Sequence, residues 1–192
     1  MMDQIVDSFP DDEILKADFI QLMKKNKTIL CPTLIVSPGY INTFGQTISP
    51  SNHELLKADP YQLGSLLDLK HLPDTLLINN YKKMADSISM ANLKILSDEG
   101  VLIATGTDAG NIGTLHASSY LAELQAMKKS GMGNWKILQA STINGAKVLD
   151  KENEFGTVSI GKKANLIILD ANPIEAIENI TKIHRVINKG VV

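Results

Sequence analysis

One acid in this 192-residue sequence stands where carboxylates do chemistry. VLIATGTDAG, residues 101–110, runs from apolar and small residues straight into a Gly-rich turn that holds Asp108. A charge at the end of a buried strand is costly unless it is paired, and in β/α proteins the carboxyl ends of parallel strands are where sites are built. The competing reading is a turn cap, the carboxylate accepting a backbone N–H from Gly110 or Asn111. Spacing alone leaves both open. Other polar features carry less. GTDAGNIG is Gly-rich like a phosphate cradle but has neither GxGxxG nor a GKS or GKT ending. Cys31 lies in an apolar run with no basic residue close by, which reads as an inert buried thiol. Gly161, Lys162 and Lys163 read as a hairpin turn with a solvated charge pair, too short a basic cluster for a membrane or a nucleic acid.

The elements that must position Asp108 follow an α/β rhythm. Asp11 to Asn26 reads as an amphipathic helix with Leu15, Phe19, Leu22 and Met23 on one face, acids in its first turn and lysines in its last. TILCPTL, residues 28–34, reads as a short buried strand stopped by Pro32. Residues 37–72 hold Pro38, Gly39, Gly45, Pro50, Pro60 and Gly64, so a loop-like stretch is expected, broken only by short helical pieces such as SNHELLKAD. A connection of that length is usually an active-site lid or an insertion.

Next comes one long helix from a cap at Asp74 or Thr75 to Gly100, striped by Leu77, Tyr81, Met84, Ile88, Ala91 and Ile95. VLIATG is then a buried parallel strand. Helices are expected over 114–130, closed by Gly131, and over 134–149, capped by Asn134. Beyond Asp150 the pattern changes to two short strands around the Gly161 turn and a third at 183–190. The expected division is an α/β part, residues 1–150, and a small β segment, residues 151–192.

Composition narrows the function classes. With 44% apolar residues the chain can fill a core, which excludes disorder throughout. Nineteen basic against 21 acidic residues give a net charge of -2, so no basic surface is available for nucleic acid. The single cysteine excludes a disulfide framework and a Cys-rich zinc module. No apolar run reaches the roughly 18 to 20 residues that span a bilayer, and MMDQIVDSFPDDE lacks the pattern of a signal peptide. A soluble chain with no membrane partner is expected, its localisation open between cytoplasmic and secreted.

Three stretches carry a resemblance: LIATGTDAG at 102–110, ILQASTINGAKVL at 137–149 and FGTVSIGKKANLIILDANPIEAI at 155–177. Together they resemble the carboxyl-terminal part of the metal-dependent amidohydrolase superfamily, in its imidazolonepropionase-like and prolidase-like branch. The resemblance implies an α/β fold made of the last two to three strands of a (β/α)8 barrel plus part of a small β-sandwich. ILCPTL, residues 29–34, resembles the seventh barrel strand, residues 101–106 the eighth, and Gln4 to Val6 supply the possible third strand.

By the same match Asp108 takes the position of the acid that ligates a divalent metal, usually zinc, and serves as general base. His116, in GTLHASSYLAEL, matches a substrate-side position after the eighth strand, against the plainer reading of an exposed histidine at a helix start. Asn165 stands where the family usually has Asp, a structural position in the sandwich. The implied substrate is a small-molecule amide, cyclic amide or peptide, hydrolysed at a C–N bond.

The family's other ligands are a His-x-His pair from the first strand, a carboxylated lysine or acid from the fourth, and single histidines from the fifth and sixth. The four histidines here, His53, His71, His116 and His184, include no such pair, and QIVDSFPDDEI resembles the end of the sixth strand with Asp7 where the metal-binding histidine belongs. A whole barrel needs about 250 residues and eight strands. Two or three parallel strands leave open edges that a missing amino-terminal half or a homo-oligomer must cover. The implied reading is a fragment of a hydrolase, inactive alone for want of most metal ligands. The alternative is a non-catalytic relic or an interaction module.

Overall fold

The computed structural model describes residues 5–6, 13–68, 78–79 and 88–192. Three two-residue strands, β1 (Ile5–Val6), β2 (Ile29–Leu30) and β3 (Leu102–Ile103), form a parallel sheet in the order β1-β2-β3. Ile29 pairs with Ile5 on one side and with Leu102 on the other. Parallel neighbours require crossovers. Helix α1 (Ala17–Lys25) connects β1 to β2. Between β2 and β3 lie α2 (Val36–Phe44), α3 (Asn52–Lys57), α4 (Pro60–Asp68) and α5 (Ile88–Asp98).

After β3 come α6 (Ser119–Lys129), α7 (Asn134–Gln139), a π-helical turn at Ala140–Asn144 and α8 (Gly145–Val148). The chain ends in an antiparallel hairpin of β4 (Leu166–Leu169) and β5 (Ile183–Ile187), linked through a 3-10 turn at Ile177–Thr181. The core gathers Leu30 and Ile103 from the sheet with Ile20, Met23, Leu93, Leu96, Leu124, Met127 and Ile137 from the helices around it.

Several expectations shift. Helix α1 begins at Ala17 rather than Asp11, because Asn92 takes the Leu15 N–H on its Oδ1 and gives its Nδ2 to the Glu13 carbonyl, holding residues 13–15 outside the helix. Its buried side chains are Ile20 and Met23, whereas Phe19 and Leu22 face outward. On α5 the buried face is Asn92, Leu93, Leu96 and Ser97, one step round from the expected stripe. Leu77, Tyr81, Met84, Asp74 and Thr75 lie outside the described residues, as do Asp7 and His71.

Residues 37–68 are more helical than their Pro and Gly content suggests. Ser51 and Glu54 make a reciprocal capping box at the start of α3, and Pro60 occupies the first turn of α4, where a missing N–H costs nothing. Asn134 is not the cap of α7. Gly133 precedes the helix, and the Asn134 amide donates instead to the Ile174 carbonyl, tying the helix to the tail. The first of the two strands expected around Gly161 is absent among the described residues. Lys162 donates to the Glu152 carbonyl and the Thr157 hydroxyl, and Lys163 stays exposed while pairing with Glu154, so both lysines brace the turn from its surface. Asn165 accepts the Lys189 N–H at 2.9 Å and so ties the two ends of the tail together.

Candidate functional site

The carboxyl end of β3 is fixed from three directions. Ala104 N–H donates to the Leu30 carbonyl at 2.8 Å, Thr105 N–H to the Ala140 carbonyl at 3.2 Å, and the Asn144 amide to the Ile103 carbonyl at 2.8 Å. Ala140 and Asn144 are the two ends of the π-helical turn, which therefore packs against the strand. Immediately beyond, Gly106 passes so close to Cys31 that a Cβ there would lie 2.2 Å from Sγ. Cys31 is a half-buried cysteine in that contact and forms no disulfide.

Asp108 follows on the exposed turn with φ of 47°, in the left-handed region. Thr33, just after β2, has φ of 45°, and Ala117, beside His116, has φ of 67°. Non-glycine residues seldom adopt this conformation, and it gathers at functional sites when the surrounding fold enforces it.

The side chain of Asp108 accepts one hydrogen bond, from Asn111 Nδ2 to Oδ2 at 2.9 Å. Its other oxygen has no hydrogen-bond partner among the described residues. The turn-cap reading does not describe this arrangement: Gly110 N–H donates to the Thr114 carbonyl and Asn111 N–H to the Asp108 backbone carbonyl. His116 is exposed, three residues ahead of α6, and its ring lies against the same turn: a Cβ on Gly110 would sit 3.4 Å from His116 Nε2.

Three further side chains on α2 and α6 engage the segments that follow β2 and β3. The Tyr40 hydroxyl, on α2, donates to Asn111 Oδ1 at 2.6 Å. The Tyr120 hydroxyl, on α6, stands 3.3 Å from Thr105 Oγ1. Glu123, also on α6, is fully buried and accepts the Ile35 N–H at 3.1 Å. Burial pushes the Glu123 carboxyl up to about 7, against the downward pull of the Leu34 and Ile35 backbone N–H groups.

Sequence reasoning did not find Tyr40, Tyr120 or Glu123, and it offered Asn111 as a backbone donor to Asp108 where the structure uses its side-chain amide. Only Glu123 had a local signal, an acid beside Leu124 and one turn from Met127 on the buried face of its helix.

A divalent metal needs several ligands, and catalytic zinc typically takes three from protein. Among the described residues no three His, Cys, Asp or Glu side chains come together in a way that could hold a metal ion. Asp108 stands beside neutral donors, so the described residues do not by themselves compose a metal centre.

A sequence profile, that of the amidohydrolase family, matches residues 56–192. The chain belongs to the amidohydrolase family. It is 37% identical over 81 residues to the imidazolonepropionase of Thermoanaerobacter pseudethanolicus, an alignment covering 42% of this chain and 19% of that protein. It is 31% identical over 97 residues to the 5'-deoxyadenosine deaminase of Methanobrevibacter smithii, covering 47% of this chain and 22% of that protein. Its structure resembles that of an Xaa-Pro dipeptidase with methionine bound in the active site, with a TM-score of 0.64 and 25% identity, over 92% of this chain and 37% of that one. The amidohydrolase chain thus spans about a fifth of the length of these two curated relatives. Among its described residues no helix is long and apolar enough to cross a membrane.

Proposed function

We propose that this chain contributes the proton-transferring carboxylate of a hydrolase that cleaves C–N bonds in small amides, cyclic amides or peptides. The observation that carries this reading is Asp108 itself, at the carboxyl end of β3, with one oxygen held by Asn111 and the other without a partner among the described residues. In the proposed reaction a water oxygen adds to the substrate carbon while Asp108 takes its proton. The C–N bond then breaks as Asp108 delivers that proton to the departing nitrogen. His116, against the Gly110 turn, is proposed to line the substrate side. Asp108 is also the side chain we propose as a ligand to a divalent metal, zinc, with the other ligands outside the described residues.

The same reading takes β1, β2 and β3 as the last strands of a (β/α)8 barrel, and β4 with β5 as part of a small β-sandwich that begins near residue 151. The parallel order of the first sheet and the antiparallel pairing of the second support it. The sheet needs covering, by an amino-terminal half or by another copy of the chain.

Substrate class is tested on the protein purified from its own cells with whatever completes it. Zn2+ is supplied, and the panel is a prolyl dipeptide, imidazolonepropionate, 5'-deoxyadenosine, a carboxylic ester and a phosphate monoester. Release of amine, ammonia or ring-opened product from at least one C–N substrate is expected. Hydrolysis confined to the ester or phosphate, or none at all, contradicts the proposal.

A further inference from the structure

We propose that Tyr40 is a positioning residue for Asp108 and acts through Asn111. The proposal rests on the reading of Asp108 as the proton carrier. Tyr40 belongs to the segment after β2 and Asn111 to the segment after β3, 71 residues apart in sequence.

Backbone contact brings them together. The first turn of α2 meets the 112–113 turn so closely that a Cβ on Gly39 would lie 2.8 Å from the Ile112 carbonyl oxygen, and one on Gly113 would lie 2.4 Å from the Gly39 carbonyl oxygen. Gly113 also has φ of +75°, so the two glycines meet a steric demand and one of them a conformational one as well. The Tyr40 ring, one residue beyond Gly39, is braced by Phe44 with ring centroids 6.0 Å apart, and its hydroxyl reaches Asn111 Oδ1.

Asn111 Oδ1 also accepts the Ile112 N–H at 2.9 Å. A flipped amide would point its NH2 group at that N–H, donor against donor, so the amide has one allowed orientation. In that orientation Nδ2 faces Asp108 Oδ2 at 2.9 Å. Asn111 grips Asp108 a second time through the backbone, its N–H donating to the Asp108 carbonyl at 3.1 Å. A neutral amide therefore fixes which way the carboxylate faces without placing a positive charge beside it, and one oxygen is left for the reacting proton. Tyr40 acts from helix α2, in the segment after the neighbouring strand: its hydroxyl holds the amide, and the amide holds the carboxylate.

Two measurements decide the matter. In the 15N-labelled chain, Tyr40→Phe is expected to shift the Asn111 side-chain amide resonance and raise its proton exchange rate about fivefold, as loss of one hydrogen bond worth about 1 kcal/mol requires. Phe44→Leu, which keeps the hydroxyl, is expected to leave that resonance in place. In turnover of the C–N substrate by the completed enzyme, Tyr40→Phe is expected to lower kcat about tenfold with KM within about twofold, the pattern of a group that matters to the transition state alone.

A Tyr40→Phe variant whose amide exchange or whose kcat stays within about twofold of the parent overturns the proposal, taking twofold as the scatter of such rates. Asp108→Asn serves as the separating control. Turnover that survives Asp108→Asn overturns the reading of Asp108, and the proposal falls with it. Turnover abolished by Asp108→Asn but untouched by Tyr40→Phe overturns the proposal alone.

Discussion

Glu123 on α6 accepts the backbone N–H of Ile35, the residue that opens α2, at 3.1 Å. Ile35 has no side-chain group to cap that helix, and the first turn of α2 holds no acid. A carboxyl from another helix therefore fills the role that a Glu or Gln at the third helical position fills in a local capping box, and it does so in the segment that leads from β2 to Tyr40.

The same carboxyl sets a pH dependence. Burial raises it from the ordinary 4.5 of a glutamate to about 7, so the folded chain binds more protons than the unfolded chain between those values. Stability contributed by this group is complete below about pH 4.5 and is lost as pH rises through about 7, with a total change of about 3 kcal/mol as an upper figure. Urea unfolding from pH 5 to pH 8 is expected to show this decline. Glu123→Gln, which keeps the acceptor for Ile35, is expected to flatten it, and an unchanged slope in that variant would assign the decline elsewhere.

Gly106 and Cys31 make a steric pair. Gly106→Ala places a methyl 2.2 Å from Sγ but 4.0 Å from the Cys31 Cβ. The single substitution is expected to cost about 1 to 3 kcal/mol as an overpacked contact. Cys31→Ala removes Sγ, so the double variant is expected to recover most of that loss in a denaturant double-mutant cycle. Additive costs would mean that the strand ends are not in contact.

Asn92→Leu strips Leu15 N–H and the Glu13 carbonyl of their partner while leaving α5 apolar. The expected loss is about 1 to 3 kcal/mol, set by the buried Leu15 N–H left without a hydrogen bond, since Glu13 is exposed to water. Melting of the variant against the parent measures it. A gain in stability would show that apolar burial at this position outweighs the two bonds.

Where the sequence was legible, a strong local pattern coincided with the packing. The apolar run ending in Asp108 marked β3 and the turn after it, and QIV and TILCPTL marked β1 and β2, although only two residues of each pair in the sheet. On α1 the choice lay between apolar residues, and Ile20 is buried where Phe19 and Leu22 were expected; on α5 periodicity misplaced the inner face because it counts polar residues as exposed. Asn92 and Ser97 are buried with their polar atoms engaged, Asn92 by residues 13–15 and Ser97 by the Lys136 ammonium. The contacts around Asp108 left no trace of that kind. Tyr40 meets Asn111 across 71 residues, and Glu123 meets Ile35 across 88, distances that no local spacing rule spans.

Ala117 has φ of 67° one residue after His116. Ala117→Gly removes a Cβ penalty of about 1 kcal/mol in the left-handed region, part of which is returned as added freedom of the unfolded chain. The variant is expected to melt at the same temperature as the parent or a few degrees higher, by calorimetry. A clear drop in melting temperature would mean that the left-handed turn is not strained.

The most direct measurement is the rate of C–N bond cleavage by Asp108→Asn in the completed enzyme, with circular dichroism confirming that the variant is folded. Asn keeps the size of Asp and accepts the left-handed backbone, so the substitution removes the carboxylate and leaves the turn in place. A fall in kcat of about 10²- to 10⁴-fold is expected for loss of a general base. Turnover within a few-fold of the parent would contradict the assignment of Asp108.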